Sequence, residues 1–468
     1  MKTFLFYDIE TSGLNHAFDQ VLTFACIRTD LGLNEIHRQA ITIRLRKDII
    51  PSVNAFLTHG LTYDELELGI NEYAAAIKIH KIFNTPGTIS LGYNSLGFDD
   101  EFLRFMFYRN LLDPYLHQYG NGCYRMDILP ITVIFKLFSP VCMKWPEVNG
   151  KPSLKLDLIS QVNALKISGR AHEAMSDVEA VIGLSKIFFQ QTDIWQYCVD
   201  FFDKARNELR IQNINKKFII QNKKFRVCIM VSASFGSKVN YMTPVVHLGQ
   251  SVSYKNQSLW LRLDSDDILG IDTNLDLNNT FVIRKRAGDA LIVLPALERF
   301  WNKMPESSRK TARDNMAKLE CHWEKFFEYI QYHLSYTYPE IPDLDPDAAL
   351  YQDGFFSTRE KSEIAQFHKA LANKKHEILM QIQSPRIKII ASRILDRNFN
   401  LNTEEYQQYL NRLKSPREED QIRGFRNELK FNLDQGLQEL KETEQTLVNP
   451  NSDQKKILNW LKGYLKTL

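Results

Sequence analysis

Two carboxylates stand at the end of an apolar run near the start of the chain. In FLFYDIETSGL, Asp8 and Glu10 follow Phe4, Leu5, Phe6 and Tyr7. Such a run predicts a buried central strand, and residues two apart on a strand share a face. Charge is costly in that setting unless a partner offsets it. The same juxtaposition recurs at Asp99 in LGYNSLGFDDEFLR and at His172 with Asp177 in AHEAMSDVEA.

At 468 residues the chain is too long for one core, so two or three domains are expected. A net charge of +3 does not by itself indicate nucleic-acid binding, but its distribution is informative. Residues 1–190 hold 18 Lys/Arg against 20 Asp/Glu, and the remainder holds 41 against 36. The basic surplus therefore lies outside the acidic segment. Cys26, Cys123, Cys142, Cys198, Cys228 and Cys321 are widely spaced, without a CxxC, which fits buried thiols in a reducing compartment. The apolar stretch in MKTFLFYDIE is too short for a signal peptide, and no run approaches a membrane span. A cytoplasmic, monomeric protein without membrane partners is expected.

The first 190 residues read as α/β. Strands are predicted at Thr3–Ile9, Val21–Arg28, Ala40–Leu45 and Thr88–Tyr93, with helices at Glu72–Phe83, Asp100–Asn110, Ser153–Leu165 and Ser176–Phe189. From about Phe201 the texture changes. A basic stretch with interleaved aromatics, Lys204–Arg226, precedes short β-like runs at Val227–Ser232, Val245–Leu248, Leu259–Leu263 and Phe281–Arg286. A helical insertion is expected around Ser308–Tyr332. After Pro339–Asp347, read as a linker, the chain turns helical. Ser357-x-x-Glu360 reads as a capping box, and Ser384-Pro385 and Ser415-Pro416 read as helix starts. Asp343-x-Asp345-x-Asp347 opens like a calcium loop, but Ala348 replaces the required Gly and Gly354 the closing Glu.

Each acidic cluster also has an ordinary explanation. An isolated D-x-E is usually a solvated strand end. One Asp of the Asp99–Asp100 pair suits a helix N-terminus, which does not need both. A lone His is more often a satisfied surface residue than a catalyst. Together the acids favour divalent cations, which take oxygen ligands, activate water and stabilise the leaving oxygen of a phosphodiester. A histidine with its unperturbed pKa near neutrality suits general-base work on that water.

The order D-x-E, then D, then H-x4-D resembles the DEDDh 3′–5′ exonucleases of ribonuclease H-like fold. The stretches GYNSLGFDDEFLRFMFYRNLLDPY, KWPEVNGKPSLKLDLI, AHEAMSDVEA, LYQDGFFS and RILDRNF narrow the resemblance to the bacterial exodeoxyribonuclease I family. It implies an α/β + β + α chain: an exonuclease domain over 1–190, an SH3-like barrel domain with a helical insertion over 191–345, and a C-terminal helical domain over 346–468. The last two would close a channel over single-stranded DNA. The implied activity is Mg²⁺-dependent 3′→5′ hydrolysis of that strand to 5′-mononucleotides, in DNA repair and recombination, with Mn²⁺ able to substitute.

By the same resemblance Asp8, Glu10 and Asp177 hold two metal ions, Asp99 supports the second, and His172 deprotonates the water. Glu10 also meets the terminal nucleotide, and Arg104, Tyr115, Tyr119, Leu154 and Lys155 occupy strand-binding positions. Lys155 stands where the family has Arg, which exchanges a bidentate phosphate contact for a point charge. Val133 replaces a basic residue. Tyr197 matches a contact for the acidic tail of single-strand DNA-binding protein, although Ser139 replaces a basic neighbour there. The alternatives are an RNA-directed or proofreading exonuclease of the same superfamily, and a binding module that keeps the fold without catalysis.

Overall fold

A computed structural model describes residues 2–165, 173–265, 268 and 281–468. Its first part is a mixed five-stranded sheet with order β3-β2-β1-β4-β5, where β1 is Thr3–Thr11, β2 Val21–Thr29, β3 Glu35–Thr42, β4 Thr88–Gly92 and β5 Tyr124–Asp127. β1 pairs antiparallel with β2 and parallel with β4, which makes it the central strand. Its two faces feed separate cores. Phe4 and Phe6 pack with the helix Ala174–Phe189, while Leu5, Tyr7 and Ile9 pack with helices Glu72–Phe83 and Asp99–Arg109. This is the ribonuclease H-like exonuclease architecture.

The third strand lies earlier than the expected Ala40–Leu45. It is an edge strand paired only with β2, and its exposed Glu35–Arg38 lack the apolar signal that marks a buried strand. β5 and the apolar helix Ile128–Phe138 after it were not anticipated.

The middle region holds a second, antiparallel sheet in the order Val282–Arg286, Gln257–Arg262, Met242–Gln250, Val227–Val231, Ile292–Pro295. The two outer strands do not pair among the described residues, so a closed barrel is not seen. Helices Glu306–Cys321 and Trp323–Ser335 cover one face of this sheet, where the insertion was expected. The basic stretch resolves into a helix, Lys204–Gln212, and a hairpin of Phe218–Ile220 with Lys223–Phe225.

The C-terminal region is helical. The Ser357–Glu360 capping box forms, and Pro385 opens the helix Pro385–Phe399. Ser415-Pro416 marks no α-helix start. Ser415 instead caps the end of Glu404–Lys414, because Pro416 cannot supply the N–H that would continue it. These helices pack on the first domain through two apolar clusters, one around Phe18, Tyr73 and Phe105, the other around Leu22, Val53 and Phe56. Asp345 and Asp347, read as part of a linker, are buried and paired with Arg393 and Arg397.

Candidate active site

Asp8 and Glu10 leave the end of β1 on the face that carries Phe4 and Phe6. Val178 and Val181 dock the helix Ala174–Phe189 against that same face, and the docking brings Asp177, in the helix's first turn, to the two carboxylates. Ligand oxygens of Asp8, Glu10 and Asp177 all lie within 4.8 Å of one another.

Asp99 arrives from the neighbouring strand. β4 runs parallel to β1, and at its end an added Cβ on Gly92 would lie 2.7 Å from the Tyr7 carbonyl oxygen, so only glycine allows this approach. The chain then turns into the helix Asp99–Arg109, and Asp99 Oδ1 accepts the Ile9 N–H at 3.3 Å. Asp127, at the end of β5, fixes the turn by accepting the backbone N–H groups of Asn94 at 2.9 Å and Leu96 at 3.1 Å. The sequence cue for Asp127 is an acid at the N-cap of an apolar helix.

Asp99 and Asp100 divide two tasks. Asp100 is sealed and binds Arg104 at 2.7 Å, His117 at 3.0 Å and Arg125. Burial opposes its charge, but Arg104 and Arg125 outweigh that and hold the carboxyl far below its usual range. Asp99 faces the acid cluster, where burial and the Asp127 charge push it up to about 8. Burial and the charges of Asp99, Glu10 and Asp177 push Asp8 well up, and burial with Asp177 and Asp99 takes Glu10 up to about 9. Crowded, partly dehydrated carboxylates in a hard-oxygen cluster are the donor set that a divalent cation needs. The residues present therefore fit a divalent metal.

Of the expected strand contacts, Arg104 has internal partners. Its guanidinium is buried and committed to Asp100, to Glu101 at 2.6 Å and to the Tyr351 hydroxyl at 3.1 Å. Tyr115 is half-buried between Arg104 and the exposed Phe355, with ring centroids 5.5 Å apart for the latter pair. Tyr119 and Lys155 are exposed, and the Leu154 carbonyl accepts the Tyr93 hydroxyl. Tyr197 is partly exposed with the Arg210 guanidinium 4.4 Å over its ring. His172 lies outside the described residues. Tyr351, with the Arg286 guanidinium 5.9 Å over its ring, and Phe355, against Tyr115, were not singled out from the sequence. Tyr351 and Phe355 fall in LYQDGFFS, whose composition alone names no anion or base to bind.

The central strand, the two flanking acids and the helix-borne Asp177 define an exonuclease domain that uses divalent metal. Residues 5–184 match the Exonuclease family and residues 344–468 the exonuclease I C-terminal domain. The chain is 27% identical to exodeoxyribonuclease I of Escherichia coli over 457 residues, covering 93% of this chain and 94% of that one. It is 28% identical to the Buchnera aphidicola (Schizaphis graminum) protein of the same name over 430 residues, covering 87% and 86%. The structure of E. coli exonuclease I in complex with a dA16 oligonucleotide superposes with a TM-score of 0.83 at 25% identity, over 100% of both chains. A zinc-bound form of its single-stranded DNA complex gives 0.82 over 100% and 99%. The chain belongs to the exodeoxyribonuclease I family. Among the described residues no helix is long and apolar enough to cross a membrane.

Proposed function

We propose that the protein is a 3′→5′ exodeoxyribonuclease that hydrolyses single-stranded DNA to 5′-mononucleotides with two Mg²⁺ ions, in DNA repair and recombination. The observation that carries this reading is the convergence of Asp8, Glu10 and Asp177 oxygens within 4.8 Å. The protein works as a cytoplasmic monomer, and Mn²⁺ substitutes for Mg²⁺.

Asp8, Glu10 and Asp177 hold the ions, and Asp99 supports the second. When bound, the ions supply positive charge that favours loss of a proton from water and offsets charge on the leaving oxygen. His172 takes the proton from the attacking water. The water oxygen bonds to phosphorus, the bond to the 3′ oxygen of the penultimate sugar breaks, and that oxygen is protonated. Glu10 and Leu154 position the terminal nucleotide, and Lys155 meets a phosphate. Tyr115, Tyr119 and Phe355 offer stacking faces to bases further along, where each aromatic contact is worth about 1–3 kcal/mol. In this reading the second sheet is the SH3-like domain, and it closes the channel together with the C-terminal helices. Tyr197 receives the acidic tail of single-strand DNA-binding protein.

Labelled single-stranded and blunt duplex DNA, incubated with Mg²⁺ or with chelator, test the proposal. Single strands should shorten from an open 3′ end only with metal. Equal rates on blunt duplex, or attack on a 3′-blocked strand, would contradict it.

A further inference from the structure

The helix Asp99–Arg109 delivers an acid to the metal cluster, yet its N-cap, Phe98, makes no side-chain cap bond among the described residues. Tertiary contacts hold its first turn instead. Asp99 takes the Ile9 N–H, and Asp100 takes Arg104, Arg125 and His117. Glu101 takes Arg104 at 2.6 Å and the Tyr351 hydroxyl, which comes from the C-terminal region. Arg104 also donates to the Tyr351 oxygen at 3.1 Å.

Tyr351 is a junction. Its ring lies 5.6 Å from Phe105 on the same helix and 5.4 Å from Phe425 of the C-terminal region. From the second sheet, the Arg286 guanidinium stands 5.9 Å over it. Burial, and to a lesser degree Glu101, keep its phenol protonated through the working pH range against the opposing pull of Arg104, so it remains a donor.

We infer that Tyr351 is a positioning residue for the metal site, acting through Glu101 and Arg104 to fix where Asp99 sits; this rests on the function proposed above. Glu101 and Asp99 share one helical turn, separated by about 3 Å of rise. Displacing Glu101 therefore displaces Asp99, and errors of about 1 Å in a reacting constellation cost up to about 10²-fold in rate. The C-terminal helices thus tune the metal site as well as wall the channel.

The test compares full-length wild type with Tyr351→Phe, which keeps the ring and removes the donor, and with Glu101→Gln, which keeps the shape and removes the charge. For both variants kcat on a 5′-labelled oligonucleotide should fall about 2- to 30-fold, the usual span for coupling through a contact network. KM for DNA should stay within about 2-fold, because uniform strand binding is untouched. The Mg²⁺ concentration for half-maximal rate should rise. Mn²⁺ binding, followed by electron paramagnetic resonance without DNA, should weaken. As a contrast, Phe355→Ala should raise KM and leave Mn²⁺ binding unchanged. A raised KM in Tyr351→Phe, with wild-type kcat and Mn²⁺ binding, would make Tyr351 a strand contact only and overturn the inference. If Tyr351→Phe does not fold, Glu101→Gln decides by the same readouts. A wild type that neither binds Mn²⁺ nor degrades DNA would instead overturn the proposed function.

Discussion

Asp48 of the exonuclease domain and Arg397 of the C-terminal helices form an ion pair at 2.8 Å with both side chains sealed from solvent. The pair is one link of a longer chain. Arg46 joins Asp48 at 2.9 Å to Glu72 at 2.6 Å, Arg109 meets Glu72 at 2.6 Å, and Arg393 meets Asp345 at 2.6 Å. Lys430 Nζ adds a bond to the Asp48 carbonyl oxygen at 3.1 Å. Buried charges of this kind tolerate no separation, because either half alone would be left unpaired. The C-terminal helices are therefore docked in fixed register.

Asp48→Ala should cost about 3–5 kcal/mol, the usual penalty for leaving a buried charge unpaired. Urea unfolding would show this as a lower midpoint. Burial opposes the Glu72 charge, but Arg109 and Arg46 prevail and hold it at about 2, and Arg397 and Arg46 likewise hold Asp48 below the usual range. Depressed carboxyl pKa values give stability that is full above the unfolded value and lost as pH falls toward the folded one. Acid unfolding should therefore set in between about pH 4.5 and pH 2 and be steeper in wild type than in Asp48→Ala.

The catalytic cluster predicts the opposite trend. Glu10 is pushed up to about 9 and Asp99 to about 8, so the metal-free fold holds protons that the unfolded chain has released. Stability from raised carboxyl pKa values is full below the unfolded value and lost as pH rises through the folded one. In chelator the melting temperature should fall between pH 5 and pH 9. Added Mg²⁺ should raise it, by more at pH 8 than at pH 5, since the ion takes the place of the protons. Glu10→Gln should melt higher than wild type in chelator at pH 8, yet lose about 10³-fold or more in rate, several kcal/mol of transition-state charge stabilisation. Equal melting temperatures with and without metal at both pH values would count against a cation site.

Much of the site was legible because strand geometry needs only local information. Asp8 and Glu10 two apart after an apolar run, and Asp177 at the start of an apolar helix, declare their faces directly. What was not legible depends on partners distant in sequence. Asp99 and Asp100 are identical in type and lie in one helical turn. Arg104 on the same helix, with Arg125 and His117 folded in from elsewhere, separates the buried ion pair from the cluster acid. The internal anions of Arg104 were not legible either, because an arginine's sequence context does not say which acids fold against it. Asp345 and Asp347 read as linker because their arginines lie about fifty residues away on another element.

Arg104 and Lys155 should now fail differently. Lys155 is exposed, so Lys155→Ala should weaken DNA binding and reduce its log–log salt slope by about 1, the signature of one lost phosphate contact. Arg104→Ala should lower thermal stability, because Asp100 and Glu101 lose a buried partner. Filter binding across a salt series, read beside melting curves, separates the two. A full unit lost from the slope in Arg104→Ala, with unchanged melting, would return that side chain to the strand.

His172 tests the proton path, since a base and a ligand fail differently. A side chain that only removes a proton from the attacking water contributes about 10²–10⁴-fold, so His172→Ala should lose that much in rate. Mn²⁺ and DNA affinity should hardly change. The wild-type rate should climb through an apparent pKa near that of a histidine, about 6.5, and the variant should lack that limb. Water on a bound ion also titrates near neutrality, so the comparison must be made at saturating Mg²⁺ and repeated with Mn²⁺. A limb that persists in the variant and moves with the metal belongs to that water. Weakened Mn²⁺ binding in His172→Ala would make the residue a ligand or a prop for one, and an unchanged rate would remove it from the reaction.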